Sequence, residues 1–411
     1  MSTDYWKNVF QVSTGVVLGQ IIGILGYILL TWTFAPQEFG VYITWLALVA
    51  FGAVVCTGAL ETSLVQEEDG RPRHNAALMM LVSASLGTTL YSICCLAVLS
   101  CFPSLLVGDP GYLTASIALS AFCLGGNSIF QSWAASEGHF KSLTVMRIVQ
   151  SLSITLTPLM LGQWRATSAQ LICGHALGLL LALLFWIVIF KPDRINLAVL
   201  PDFWRARKRC FVYVLPAHVV GACIGNLPQL AVSSGFGYAA AGHMALAQRV
   251  LGTPLSLVGV AVRDVFKRHA SVAFRERGEC QREFWNSFLI LGVIAIAFAI
   301  VTLFGSEYFF VTVFGEQWRM SSTIANWLLP MFAIGIVASP LTYLVYIVRR
   351  EDFDFYWQSI LLGLVLTCFM AIDDLSTTLR TYAFVYALMY CLYLLACAHF
   401  ASGRGLFWRR R

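Results

Sequence analysis

The sequence predicts an all-α polytopic membrane protein with twelve transmembrane helices in two parallel six-helix lobes. Three observations predict this fold class: an excess of apolar residues, a shortage of charge, and long apolar segments separated by short polar loops. Hydrophobic residues make up 58% of the 411 residues and charged residues only 12%, whereas a soluble domain has about 45–50% and about 25%. The composition excludes an ordinary water-soluble enzyme, and it also excludes a disordered or collagenous chain.

Twelve apolar segments are long enough to cross a bilayer, which takes about 20 residues as a helix. Because lipid cannot satisfy free backbone polar groups, each segment is expected to be helical. The first six segments cover residues 8–33, 40–65, 76–102, 111–133, 144–163 and 168–190. The second six cover residues 210–234, 243–265, 284–305, 323–348, 356–372 and 379–400, and the eleventh, from Tyr356, is the shortest.

The basic residues predict the orientation of these segments. With the amino terminus in the cytoplasm, the segments on that side hold 23 of the 27 Lys and Arg residues. The outer segments hold only Arg165, Arg319 and Arg380, and Arg249 lies within a span. This asymmetry follows the positive-inside rule and favours an even number of spans.

The longest cytoplasmic loop divides the chain into two halves. We expect an amino-terminal lobe at 1–190, a basic linker at 191–209, a carboxy-terminal lobe at 210–402 and a basic tail at 403–411. Between its first and second spans, each half places a Phe, five residues and then a Gly: Phe34 with Gly40, and Phe236 with Gly242. Because six is even, a duplicated unit would keep its orientation. Two such bundles would leave a seam in which a transported molecule could sit.

Ionisable side chains inside the spans are candidate functional residues, because a charge in lipid is costly. Arg249 lies in the eighth span, where it either contacts an anion or forms a structural pair. Arg147 begins the fifth span, with Gln150 on the same helical face, and it either contacts substrate or extends to the interface. Glu61 ends the second span and is a candidate for ion coupling or for a site at the headgroup level.

Amide side chains form a second group, which can hydrogen-bond sugars or join helices. They are Asn127 and Gln131 in the fourth span, Asn226 and Gln229 in the seventh, and Gln248 beside Arg249 in the eighth.

The motifs of several other chemistries are missing from the sequence. It contains no G-x-x-x-x-G-K-[ST], HExxH or G-x-S-x-G motif, so we expect no catalytic residues and no ATP hydrolysis through a P-loop. The twelve Cys residues include no Cys-x-x-Cys pair, and no His/Cys cluster has metal-ligand spacing. We therefore expect neither a metal nor a cofactor. The basic stretches lack a folded platform, which argues against a nucleic-acid partner.

Three stretches resemble a known family. They are LTWTFAPQEFGVY, GALETSLV and, above all, residues 213–266, which begin YVLPAHVVGACIGNLPQL and contain AGHMALAQRVLGTPLSL. They are similar to the bacterial polysaccharide flippases, the O-antigen and exopolysaccharide transporters of the multidrug/oligosaccharidyl-lipid/polysaccharide superfamily. The likeness covers the first two spans and the seventh and eighth, and extends elsewhere mainly by hydropathy. It implies two six-helix lobes around a central cationic cavity, alternating access, and a bacterial inner membrane location with both termini cytoplasmic.

The resemblance also implies a cargo and residue roles. The cargo would be a polyprenyl-pyrophosphate-linked oligosaccharide, moved to the outer leaflet for surface polysaccharide assembly, with membrane lipid and other assembly proteins as partners. Arg249 matches the family's Ala-Gln-Arg position, Arg147 with Gln150 its Arg-x-x-Gln position, and Glu61 its acidic site. Trp32 departs from the pattern, since many members have Arg there.

Two other functions stay open at this point. A drug/cation antiporter of the same superfamily would need buried carboxylates, and among the residues of the spans only Glu61 qualifies. A membrane glycosyltransferase or polysaccharide polymerase, which is an enzyme, usually needs a large outer loop or a soluble domain. The outer loops here are short, so we expect a protein that is not an enzyme.

Overall fold

The structure, a computed structural model, describes residues 3–102, 106–190, 200–348 and 350–403. Side chains are described from residue 14 onward, apart from residues 254, 257, 258, 260, 261, 264 and 351. The chain separates into two compact units, Met1–Gly242 and His243–Arg411. Residues 191–199 of the predicted linker and residues 404–411 of the predicted tail lie outside the described residues. The predicted lobe boundaries and the seam between the lobes stay predictions.

The first unit consists of long helices and one short helix. In chain order they are α1 (Thr3–Thr33), α2 (Pro36–Thr57), α3 (Arg71–Cys101), α4 (Pro110–Ser136), α5 (Phe140–Gly162), α6 (Ser168–Phe190), α7 (Leu200–Ala206) and α8 (Leu215–Phe236). A π-helical turn, Cys210–Val214, leads into α8, and α9 (Tyr238–Arg277) begins in this unit and continues into the second.

Small residues allow the helices of the first unit to pack closely. A Cβ atom on Gly15 would lie 2.9 Å from Thr144, and one on Gly26 would lie 2.1 Å from a methyl group of Thr155. Both contacts join α1 to α5. Close approach through small residues is how helices associate in lipid, where the hydrophobic effect gives little drive. The core of the unit is completed by large side chains such as Trp186 and Phe130.

The second predicted span is not a single helix to its end. Helix α2 ends at Thr57, where Gly58 (φ 61°) and Ala59 (φ 53°) both adopt left-handed backbone conformations. A left-handed residue after a helix is a common helix ending, usually a Gly, whereas Ala pays a steric penalty there. The chain then forms a 3-10 helix, Leu60–Gln66, which carries Glu61.

Part of the predicted linker packs against the first unit. Leu200 and Phe203 of α7 are buried in its core, and the indole nitrogen of Trp204 donates to the hydroxyl of Ser83 at 2.8 Å. Arg207 forms an ion pair with Glu67. The described residues of this segment are therefore part of a folded unit.

The two repeated glycines meet where α2 and α9 begin. A Cβ on Gly40 would lie 1.7 Å from the carbonyl oxygen of Tyr238, and one on Gly242 would lie 2.1 Å from that of Pro36. The backbones therefore touch at this crossing, and any side chain at either position would force them apart.

The second unit contains the rest of α9 and five further helices. These are α10 (Gln281–Phe314), α11 (Arg319–Leu341), α12 (Leu344–Ile347), α13 (Glu351–Ala371) and α14 (Leu375–Ala401), with a short 3-10 helix at Glu316–Trp318. Helix α11 packs against both α10 and α14. The core contains Phe266, Phe284, Leu344 and Tyr393.

Among the described residues, eleven helices are long and apolar enough to cross a membrane. The eighth predicted span lies in α9, which is helical but is not one of the eleven. Its apolar stretch contains Gln248 and Arg249, and the same helix continues into Arg263, Lys267 and Arg268.

The eleventh predicted span also begins earlier in the structure. Its apolar window runs from Asp352 to Ala371, ahead of the predicted start at Tyr356. The sequence-based span left out the acidic residues before Tyr356 because they are strongly polar. Acidic residues are favourable in the first turn of a helix, so the helix includes them.

Candidate functional site

The first unit presents an arginine with free hydrogen-bonding capacity. Arg147 lies seven residues into α5, about 10 Å from its start. Its side chain is partly buried, and its Nη1 nitrogen is shielded from solvent without an acceptor among the described residues. No carboxylate of the described chain lies within 4 Å of it. The guanidinium can therefore still donate to an anion.

Two of the predicted amides are paired next to this arginine. The side-chain nitrogen of Gln131, on α4, donates to the side-chain oxygen of Gln150, on α5, at 2.9 Å. Arg147 and Gln150 share one face of α5 because they are three residues apart. The next residue on that face, Ser151, donates to the backbone carbonyl of Gly19 on α1 at 2.7 Å. Three helices thus meet around the amide pair.

Glu61 reaches the same region from the 3-10 helix. The hydroxyl of Ser132, adjacent to Gln131 on α4, donates to the backbone carbonyl of Glu61 at 2.7 Å. One carboxylate oxygen of Glu61 is buried and accepts no hydrogen bond from the described residues. We call Glu61, Gln131, Arg147 and Gln150 the polar cluster.

A second arginine, counted above only among the basic residues of the cytoplasmic segments, holds the segment that carries Glu61. Arg73 is buried, with 4% of its surface exposed. Its guanidinium donates to three backbone carbonyls: that of Leu64 at 3.1 Å, that of Ser136 at 2.9 Å and that of Glu67 at 2.6 Å. The 3-10 helix is therefore attached to the end of α4. Sequence patterns do not show such backbone contacts.

The polar cluster combines the groups that a phosphorylated sugar requires. A guanidinium forms strong, charge-assisted hydrogen bonds to phosphate oxygens. Amides both donate and accept, which suits the hydroxyl groups of sugars. A partly buried carboxylate could exchange a proton or bind a cation. The arrangement can thus bind an anionic head with polar substituents, and it contains no nucleophile paired with a base.

Two other predicted amides of the first unit join helices. Asn127 is fully buried and donates to the carbonyls of Cys123 at 2.8 Å and Leu179 at 3.3 Å, which joins α4 to α6. Gln229 is buried on α8 and donates to the carbonyl of Ala241 at 2.9 Å.

Asn226 is partly exposed on α8, where its amide donates to the carbonyl of Ala222 one turn earlier at 2.9 Å. Gln248 and Arg249 belong to the second unit. Gln248 is partly buried and Arg249 is exposed on α9, and the hydroxyl of Thr253 donates to the backbone carbonyl of Arg249 at 2.8 Å.

Sequence reasoning also missed a carboxylate in the second unit. Asp354, in the first turn of α13, accepts hydrogen bonds from the hydroxyls of Tyr393 at 2.8 Å and Tyr346 at 3.0 Å, and from the amide of Gln358 at 2.9 Å. The expected start of the span at Tyr356 left Asp354 outside it. Asp354 therefore lies within a candidate membrane helix, whereas Glu61 lies in the 3-10 helix beyond the end of α2.

No group of three or more His, Cys, Asp or Glu side chains that could hold a metal occurs in the described part of the chain.

Comparison with known proteins identifies the family. Residues 29–323 match the family model described as "Polysaccharide biosynthesis protein". A curated relative, the teichuronic acid biosynthesis protein TuaB of Bacillus subtilis (strain 168), is 24% identical over 284 residues. That match covers 67% of this chain and 56% of TuaB, so this chain spans less than two thirds of its relative's length.

Solved transporter structures share the fold. The lipid II flippase MurJ in an inward closed conformation has a TM-score of 0.70 at 13% identity, over 94% of this chain and 86% of that one. An inward-facing multidrug resistance MATE family transporter of the MOP superfamily has a TM-score of 0.65 at 11% identity, over 94% and 97%. Both are two-lobed transporters, so the predicted all-α membrane fold is confirmed.

The protein is thus multi-pass, and its fold is that of the MOP-superfamily transporters. Because the matching model covers more than half of the sequence, the chain belongs to the polysaccharide biosynthesis protein family.

Proposed function

We propose that this protein is a flippase that moves a polyprenyl-pyrophosphate-linked oligosaccharide from the inner to the outer leaflet by alternating access. The product would feed the assembly of a cell-surface polysaccharide such as O-antigen or exopolysaccharide. The observation that carries the proposal is the shielded, acceptor-free Nη1 of Arg147 beside the Gln131–Gln150 pair. Membership of the polysaccharide biosynthesis family supports the same substrate class.

The physical task is to carry a charged head group through an apolar layer. Moving an unpaired charge into hydrocarbon costs many kcal/mol. Arg147 would stabilise the pyrophosphate with charge-assisted hydrogen bonds, while Gln131 and Gln150 exchange their mutual bond for bonds to sugar hydroxyls. The polyprenyl tail would stay in lipid.

Arg249 is the second phosphate ligand in this proposal, with Gln248 beside it. Asn226, Asn127 and Gln229 are proposed to act toward the sugars. For Asn127 and Gln229 this requires a conformation other than the present one, because both now donate to backbone carbonyls.

Glu61 is proposed to couple transport to an ion gradient. The motif of an ATP-hydrolysing P-loop is missing from the sequence, and Glu61 contributes a partly shielded carboxylate to the polar cluster. Export that responds to neither a pH gradient nor Glu61→Gln would remove this role.

Complementation tests the function. In a strain without its own copy, we expect the native chain to restore surface polysaccharide and clear lipid-linked repeat units from the cytoplasmic face. Arg147→Ala should lower export at least about tenfold, because charged hydrogen bonds contribute about 1.5–3 kcal/mol. Arg147→Lys should restore export only in part, since Lys lacks the bidentate fork.

The control is Arg205→Ala, which removes an exposed arginine whose partner is Asp202. Unchanged export in Arg147→Ala and Arg249→Ala, at equal protein level, would contradict the proposal.

The location is part of the proposal: a bacterial inner membrane, with both termini in the cytoplasm. A reporter active only in the cytoplasm, fused to the carboxy terminus, should be active. An active periplasmic reporter at the same position would contradict the orientation.

A drug/cation antiporter is the second candidate, and Asp354 is the observation that favours it. A carboxylate held by two tyrosine hydroxyls and one amide could bind an organic cation. Resistance to a cationic dye that depends on Asp354, with normal surface polysaccharide in the deletion strain, would support the antiporter over the flippase.

A further inference from the structure

The second unit contains a partly open cavity of about 320 Å³ between α9, α11 and α14. Its lining includes Phe332, Gly335, Ser339, Thr342, Tyr386 and Tyr390. None of the lining side chains that the structure describes is charged. The volume is near the lower end of the range for small-molecule pockets, about 300–1,000 Å³.

Two tyrosine rings form a fixed aromatic wall of this cavity. The rings of Tyr386 and Tyr390 stack with centroids 4.8 Å apart and planes 22° apart, and the hydroxyl of Tyr386 lies 3.5 Å from that of Tyr390. On the same helix, Tyr382 packs edge-on against Tyr386 and Tyr393 stacks on Tyr390. Tyr393 is in turn held by Asp354. The wall is thus preorganised by its neighbours.

Hydroxyl groups stand on another wall. The hydroxyl of Ser339 makes no hydrogen bond within the described residues, and Thr342 donates to the carbonyl of Ser339 at 3.3 Å. Gly335 leaves space on this side of the cavity. A Cβ atom at this position would lie 3.3 Å from the side chain of Leu255 and would narrow the gap between them. Aromatic faces and polar rims therefore share one uncharged cavity.

This mixture matches the chemistry of a sugar ring. A pyranose presents an apolar C–H face, which stacks on aromatic rings, and a rim of hydroxyls, which needs hydrogen-bonding partners. A polyprenyl chain would leave four hydroxyl-bearing side chains without use, and a pyrophosphate would find no cation among the described lining residues. We propose that the cavity lined by Tyr386 and Tyr390 binds an uncharged sugar residue of the transported glycan. This inference rests on the proposed flippase function and adds a site in the second unit that recognises sugar.

Photo-crosslinking in cells tests the cavity with the cell's own glycan. A p-benzoylphenylalanine replaces Tyr386 in the full-length chain, in cells whose glycan carries a tritiated sugar and whose polyprenyl carrier carries a 14C label. Parallel chains carry the crosslinker at Tyr356, which is 66% exposed on α13, and at Gln131 in the polar cluster. Mild acid then cleaves the glycosyl pyrophosphate, which separates sugar from lipid.

In the protein with the crosslinker at position 386, we expect tritium to remain attached after the acid treatment. In the protein with the crosslinker at position 356, we expect no attached tritium. Adding Tyr390→Leu should lower that capture about three- to tenfold, in keeping with the strength of aromatic stacking. If the protein with the crosslinker at 386 fails to reach the membrane, Tyr390 takes its place and Tyr386→Leu serves as the second change.

The other outcomes are distinct. Retention of 14C rather than tritium at 386 would make the cavity a lipid site and overturn the proposal. Tritium at 131 but not at 386 would overturn the cavity and leave the flippase standing. Labelling at neither position would contradict both.

Discussion

Arg73 gives the sharpest prediction about the structure beneath the polar cluster. Arg73→Ala removes a guanidinium that donates to the backbone carbonyls of Leu64, Glu67 and Ser136. Those bonds hold the 3-10 helix that carries Glu61 against the end of α4. The substitution should therefore loosen this segment and lower the stability of the first unit.

The magnitude follows from burial and from the number of bonds. A hydrogen bond that involves a charged group contributes about 1.5–3 kcal/mol, but three such values cannot be added because water would reach some of the freed carbonyls. Breaking a buried charged interaction by removing one partner usually costs about 3–5 kcal/mol, and we expect a loss in that range. Arg73 also forms two ion pairs: the pair with Asp69 adds little, because that carboxylate is 85% exposed, whereas the pair with Glu137, at 3.4 Å and 13% exposed, belongs to the buried interactions lost.

The assay is denaturant unfolding of the purified protein in detergent, with Arg71→Ala as the matched control. Arg71 precedes Arg73 by two residues and is exposed, so its loss should change the free energy of unfolding by no more than about 0.5 kcal/mol. Equal free energies of unfolding for the two variants would refute the reasoning, because Arg73 would then hold nothing that Arg71 does not.

Three further predictions concern other parts of the chain. Gly242→Ala should cost about 1–3 kcal/mol of stability, because the added Cβ would overlap a backbone carbonyl. The control, Gly225→Ala, should be neutral or stabilising, because a Cβ there would meet nothing within 4 Å. Equal stabilities of the two variants would contradict the close crossing. In a double-mutant cycle that measures export with Gln131→Leu and Gln150→Leu, we expect a coupling of about 0.5–3 kcal/mol. Strictly additive effects would mean that the two amides act independently, which would contradict their pairing. Asp374 caps α14, and hydrogen bonds from Thr377 lower the pKa of its carboxyl to about 2. This folded-state pKa lies below the usual value, so the ionised carboxylate stabilises the native chain relative to Asp374→Asn. The difference in stability should be complete above about pH 4 and should decrease as the pH falls toward 2. A difference in melting temperature that stays constant over that range would contradict the cap.

The sequence was sufficient for the fold because the bilayer imposes strong rules. Apolar length and the requirement for internal hydrogen bonding leave helices as the only solution for such segments. The same rules misjudged the helix ends. They extended the second span through Gly58, because hydropathy does not detect a left-handed backbone conformation. They began the eleventh span after Asp354, because a carboxylate is unfavourable in a membrane helix unless it has partners such as the two tyrosines here.

The candidate site was only partly predictable. Arg147 and Gln150 were identified because their spacing places them on one helical face. The contact between Gln131 and Gln150 depends on how α4 packs against α5, which no local pattern shows. Asn127 shows the limit of helical spacing: it lies one turn from Gln131, yet its amide donates to a carbonyl of α6 and so joins two helices. Arg73 could not be distinguished from an ordinary loop charge.

The most direct test of the proposed function is translocation by the purified protein in liposomes. Vesicles would contain a polyprenyl-pyrophosphate-linked glycan in both leaflets, and an added glycosidase would digest the outer leaflet. With the native chain, we expect the protected inner fraction to become accessible over time, and with Arg147→Ala at least about tenfold more slowly. An inner pool that stays protected at the rate of protein-free vesicles, or that empties equally fast with Arg147→Ala, would contradict the account.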